Sequence, residues 1–128
     1  MRELHSHFGA VAAVVPQVLS ATDTSSAIDL RGFDSATLVI STGAIVSAGN
    51  FTAKLQHSST TTAEDFVDVP AADLIGALPS ALAASTVYRQ GYVGGKRYVR
   101  TVISKNSGTS IAASAVIVKG HPAISPVA

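Results

Sequence analysis

Apolar and polar residues alternate with a period of two along much of this 128-residue chain. In FTAKLQHS, residues 51–58, Phe51, Ala53 and Leu55 face one way and Thr52, Lys54 and Gln56 the other, as a half-buried strand requires. In SATLVIST, residues 35–42, Ala36, Leu38 and Ile40 make one face. STVYRQGYV (85–93), KRYVRTVIS (96–104) and IAASAVIVKG (111–120) are three more strand-like runs, rich in Val, Ile, Thr and Tyr. Shorter strands are predicted near AVVPQVLS (13–20), SAIDL (26–30) and DFVDV (65–69).

Turn chemistry marks the joints: RGFD at 31–34, SAGN at 47–50, Gly94–Gly95 and NSG at 106–108. One short helix is predicted in PAADLIG, where Pro70 suits a first turn and Gly76 an end. Pro16 cannot donate to a ladder and marks an edge or a bulge. The Ser/Thr run at 58–62 reads as an exposed loop. Several short strands with closely spaced turns and no internal repeat predict an all-β fold, a jelly-roll-like β-sandwich with one short helix. The chain divides into an N-terminal arm and first strand, residues 1–26, and a β-sandwich domain, residues 27–128. The arm mixes Arg2, His5 and His7 with apolar residues such as Phe8 and lacks turn signals to fold it back. Residues 1–13 are therefore expected to dock on another subunit, since untethered arms are usually disordered.

Composition refines this picture. The chain is 47% hydrophobic and 13% charged, without Trp. Much of the apolar fraction is Ala and Val, so a core of small side chains is expected, modest in buried area and gaining stability from a partner. The absence of Cys excludes disulfides, Cys-based zinc sites and thiol chemistry. No apolar run approaches the roughly 18–20 residues of a membrane span, so no membrane partner is expected. Arg2 before FGAVAAVV and LSA at 19–21 imitates a secretory signal, but Glu3, His5, His7 and Pro16 spoil it, and none is expected.

GYVGGKRYVR, residues 91–100, offers two readings. A phosphate loop needs Gly, four residues, then Gly-Lys and a hydroxyl residue. Gln90 stands at the first position and Arg97 at the last, and strand-like runs flank both sides. The glycines are instead expected to bend a hairpin that pairs 87–93 with 97–104. His5 and His7 would share a face in an extended segment, but no third ligand follows at a matching spacing, so no metal is expected. No G-x-S-x-G elbow occurs. Glu64, Asp65 and Asp68 cluster without a partner base and read as a solvated loop. No catalytic residue, metal or cofactor is expected, and the chain reads as a non-enzyme.

Charge order says more. Through Asp73 the chain holds eight acids against three bases; beyond it come six bases and no acid. Arg89, Lys96, Arg97 and Arg100 sit among Tyr88, Tyr92 and Tyr98, a mixture similar to a nucleic-acid-binding sheet. The isoelectric point near 8.1 is mild for a dedicated nucleic-acid binder. Pairing of these bases with carboxylates, in cis or across a protein interface, is the stronger reading. The interface candidates are thus Arg89, Lys96, Arg97 and Arg100, with His5, His7 and Phe8 of the arm.

AIDLRGFDSATLVISTGAI, FTAKLQHSSTTTAEDFVDV and YRQGYVGGKRYVRTVISKNSGTSIAASAVIVKGHP, within residues 27–122, resemble small virion proteins of tailed bacteriophages. These are the decoration, cement or minor capsid proteins. The resemblance rests on overall pattern and on the GY-x-G-x-KRYVR run. It implies a jelly-roll-like sandwich forming homodimers or homotrimers, made in the host cytoplasm and carried on the capsid surface. Its partner would be the major capsid protein, whose subunits it bridges. The alternatives are a head–tail connector or tail component, and a nucleic-acid-binding β-barrel.

Overall fold

The structure, a computed structural model, describes residues 4–122. Ten strands account for most of it: β1 (Phe8–Leu19), β2 (Asp23–Thr24), β3 (Ile28–Asp29), β4 (Phe33–Val46), β5 (Asn50–Ser58), β6 (Val67–Asp68), β7 (Leu74–Ile75), β8 (Val87–Tyr92), β9 (Tyr98–Ser107) and β10 (Ser110–Pro122). They form two antiparallel sheets packed as a sandwich. The first runs β1-β10-β4-β8-β7, the second β2-β9-β5-β6, with β3 also paired to β9.

The period-two reading describes the strands well. Ala36, Leu38 and Ile40 of β4 and Phe51, Ala53 and Leu55 of β5 are buried, while their alternates are half-buried. The core is less uniformly small than composition suggests. Its fully buried side chains include Phe51, Leu38, Ile40, Ile103, Ile111 and Ile117, with Ala36, Ala53, Ala113 and Ala115 filling between them. Alanines set among large aliphatic groups let the side chains of the two sheets interdigitate.

Three expectations require correction. First, Gly94–Gly95 does not bend a hairpin. β8 pairs with β4 and β7 in one sheet, and β9 pairs with β5, β2 and β3 in the other. The intervening residues cross between sheets, held by tertiary bonds: Val93 N–H donates to the Asp73 carbonyl (2.8 Å) and Leu30 N–H to that of Arg97 (2.8 Å). The other turn signals at 47–50 and 106–108 also mark crossings. Ser47 and Ala48 adopt φ of 50° and 57°, and Gly108 a φ of 78°. The two corners stack, and a Cβ on Gly108 would strike the Ala48 carbonyl oxygen.

Second, residues 8–13 dock on their own domain, while residues 1–3 of the predicted arm lie outside the described residues. β1 pairs with β10 of its own chain from Phe8↔Gly120 to Leu19↔Ile111, as an edge strand of the first sheet. Val14 and Leu19 are core residues, and their burial ties the strand down. The ladder shifts register between Val14 and Gln17, so Pro16 lies at an irregularity on an edge strand, as its missing N–H demands. Third, PAADLIG forms only a 3-10 turn, Ala71–Asp73, before becoming β7. Leu74 and Ile75 are taken up as ladder partners of Tyr92 and Gly91, which stops the turn from growing into a helix.

One polar bridge spans the core. His57 of β5 and Tyr92 of β8 are both buried, with Nδ1 and the phenol oxygen 2.8 Å apart. The phenol oxygen also accepts the Lys96 N–H at 3.1 Å. Burial, then the nearby Lys96 charge, lowers the His57 pKa against a small opposing pull from Asp73. His57 is therefore neutral at pH 7, and its Nδ1 and the Tyr92 hydroxyl share one hydrogen bond. This chain ties β5, β8 and the crossing segment together.

Candidate interaction surface

The two outward faces of the sandwich differ in kind. On β5, β9 and β6 the outward residues form a self-satisfied polar ladder. Lys54 Nζ lies 3.1 Å from Asp68 Oδ1, and Gln56 Nε2 donates to the same oxygen at 2.9 Å. Arg100 Nε donates to Gln56 Oε1 at 2.8 Å, and its guanidinium sits 4.4 Å over the Phe66 ring. Hydrogen bonding from Gln56, then Lys54, holds the Asp68 carboxyl below the usual carboxylate range. Such a surface is built for water.

The first sheet presents a different face. Its core-facing set on β10 is Ile111, Ala113, Ala115 and Ile117, so the outward set is Ala112, Ser114, Val116 and Val118. Both sides of β10 are thus largely apolar, the pattern of a strand covered on both faces. Register extends the outward set: Thr37, Val39 and Ser41 on β4, Ala10, Ala12 and Val18 on β1, Val87 and Gly91 on β8, Ile75 on β7. Val18, Val87 and Ile75 are 65%, 67% and 64% exposed. At ~4.8 Å per strand this face is about 19 Å wide. The apolar residues of this face make it a candidate interaction surface.

Small residues roughen the face into shallow hollows. One of about 290 Å³, where Gly91 offers no side chain, is lined by Thr37, Ile75, Gly76, Arg89 and Gly91. Another of about 410 Å³ lies at the end of the face between Leu4, His7, Phe8, Ser35, Val118, Gly120 and His121. There the Ser35 hydroxyl and His121 Nδ1 are 2.8 Å apart, with His121 at φ of 50°.

The structure scatters the residues singled out from sequence. Arg89 lies within the apolar face and is exposed. Arg100 lies on the opposite face of the sandwich, within the polar ladder. Arg97 sits at the rim and makes a bidentate pair with Asp29, at 2.9 and 2.8 Å. That bond, with lesser help from Arg31, lowers the Asp29 pKa to about 2. The Lys96 ammonium lies 3.5 Å from Ser59 Oγ. His5 and His7 lie in a 3-10 turn, not an extended segment; His7 and Phe8 line the larger hollow. The tyrosines form no shared platform: Tyr92 is buried, Tyr88 packs against the core, and Tyr98 belongs to the other sheet under Arg97. The apolar face itself escaped the sequence reading. Its signal was there in IAASAVIVKG and FGAVAAVV, runs too continuous for strands with one solvated side.

No protein family and no curated protein matches the chain. Among solved structures, the chain is similar to the SPBc2 prophage-derived protein YomS, with a TM-score of 0.52 at 14% identity, covering 87% of this chain and 94% of that one. A chain in the structure of infectious bursal disease virus Gx strain matches with a TM-score of 0.44 at 18% identity, covering 89% of this chain and 32% of that one. What this chain shares with YomS is a fold.

Proposed function

We propose that the protein is a non-enzymatic structural component of a tailed-phage virion. In this reading it lies on the outside of the capsid shell and bridges subunits of the major capsid protein. The observation that carries the reading is the asymmetry of the sandwich: one face is a closed polar ladder, the other a broad apolar sheet that none of the described residues covers. The sequence resemblance to small virion proteins and the fold shared with a prophage-derived protein support the same assignment. Bridging works by mass action. A domain that binds only the assembled shell stabilises it by RT ln(1 + [L]/Kd) per site.

Quantitative mass spectrometry of purified particles tests the proposal. A shell component is expected in copy number proportional to the major capsid protein. A small fixed number per particle would assign it to the head–tail connector or tail instead. Absence from particles, with salt-sensitive retention on DNA, would favour the nucleic-acid reading.

A further inference from the structure

We propose that Arg89 selects what covers the apolar face: a flat, apolar protein surface that brings one carboxylate, and not a second copy of this chain. Three observations carry this. Among the described residues, Arg89 is the charged side chain on the outward face of the first sheet, and it has no hydrogen bond or ion pair. Arg97 and Arg100 are already engaged, Arg97 with Asp29 and Arg100 with Gln56 and Phe66. The free edges are also poor docking sites: β2, β6 and β7 are two residues long, and β1 is broken by register shifts around Pro16. Short, bulged or proline-bearing edges resist strand addition, so association falls to the face.

The charge then decides the occupant. Two copies packed face to face would bury two guanidinium groups with no carboxylate among the outward positions of the first sheet in either copy to answer them. A buried unpaired charge is too costly for such a contact to persist. A partner carrying an aspartate or glutamate opposite Arg89 turns the same group into an anchor. Arg is favoured in that role because its fork matches a carboxylate in two places. The hollow between Thr37, Ile75 and Gly91 beside Arg89 leaves room for the stem of the incoming acid.

The test has two arms, and only the second rests on the virion reading. In sedimentation velocity, Arg89→Leu should add concentration-dependent self-association that the wild-type protein lacks. Adding Val116→Lys to that variant should remove it again. In the second arm, particles stripped of the protein are offered the recombinant chain. Arg89→Glu should lose roughly thirtyfold or more in affinity, and Arg89→Lys should fall between it and wild type. Lys54→Gln, on the polar face, should bind as wild type does. The proposal is overturned if Arg89→Leu sediments as wild type, or if Arg89→Glu rebinds particles unimpaired. Particles that never contained the protein would end the virion reading, leaving the face to be judged by sedimentation.

Discussion

Thr101 is a threonine in a place that suits valine, and replacing it should make the protein more stable. Its side chain is 0% exposed in β9, between the core residues Val99 and Ile103. Its backbone is fully used: the N–H donates to Ser25 Oγ at 2.9 Å, and the carbonyl accepts the Ser25 N–H at 2.9 Å. Its hydroxyl, however, has no hydrogen-bond partner among the described residues. A hydroxyl buried that way costs ~1–3 kcal/mol by protein mutational measures. Valine keeps the β-branched shape and its strand preference, so the substitution removes the penalty while changing almost no volume. Thr101→Val should therefore gain about 1–2 kcal/mol, a rise in Tm of roughly 3–8 °C for a domain of this size. Urea unfolding monitored by tyrosine fluorescence is the assay, with an unchanged m-value showing that native-state stability moved. Ser25→Ala provides the opposite sign: it strips the acceptor from the buried Thr101 N–H and should cost about 1–2 kcal/mol. A Thr101→Val protein as stable as wild type, or less stable, would refute the reasoning, because the hydroxyl would then be satisfied.

Other expectations are equally direct. Burial depresses His57 in the folded state, so the unfolded chain takes up its proton first as pH falls. The stabilisation is complete above the unfolded value of ~6.5 and is lost as pH drops through the lower folded value. Histidine NMR titration should show a depressed midpoint for His57, and His57→Gln should flatten the pH dependence of unfolding below the unfolded value of ~6.5. Asp29 acts in a separate window, its support present above the unfolded value of 3.8 and lost as pH falls towards about 2; Arg97→Gln should raise its NMR midpoint. The adjacent glycines should behave differently. A Cβ at Gly94 would land on the Tyr92 ring and hydroxyl, whereas one at Gly95 meets nothing. Gly94→Ala should therefore destabilise and disturb the His57 titration, while Gly95→Ala stays within ~0.5 kcal/mol of wild type. At the stacked corners, Gly108→Ala should cost about 2–3 kcal/mol in urea unfolding, from positive φ and collision with Ala48.

Much of the fold was legible because strand alternation reports directly on one-sided burial. SATLVIST and FTAKLQHS show it, and Pro16 announced an edge because a missing donor has few places to go. Pairing partners were harder. The run from STVYRQGYV to KRYVRTVIS looks like a hairpin locally, since glycines that bend a chain also let it cross between sheets. What decides is tertiary: Asp73 and Leu30, remote in sequence, take the backbone bonds of the crossing segment. The arm was misjudged because FGAVAAVV has no clean alternation, and that same ambiguity concealed the candidate surface. In IAASAVIVKG both sides of the strand are apolar, and only the sheet order shows that one side faces outward. Basic residues close in sequence were likewise dispersed. Arg89 and Arg100 occupy opposite faces because their strands belong to different sheets.

The central claim is that the β1-β10-β4-β8-β7 face seats the protein on a viral shell. A cryo-electron microscopy reconstruction of the purified particle tests it most directly. The account expects sandwich-shaped density repeated over the shell lattice, with Val39, Val116 and Arg89 turned towards the capsid subunits and the Lys54–Asp68–Gln56–Arg100 ladder towards solvent. Density with the polar ladder against the shell, or confined to the neck or tail of the particle, would contradict it.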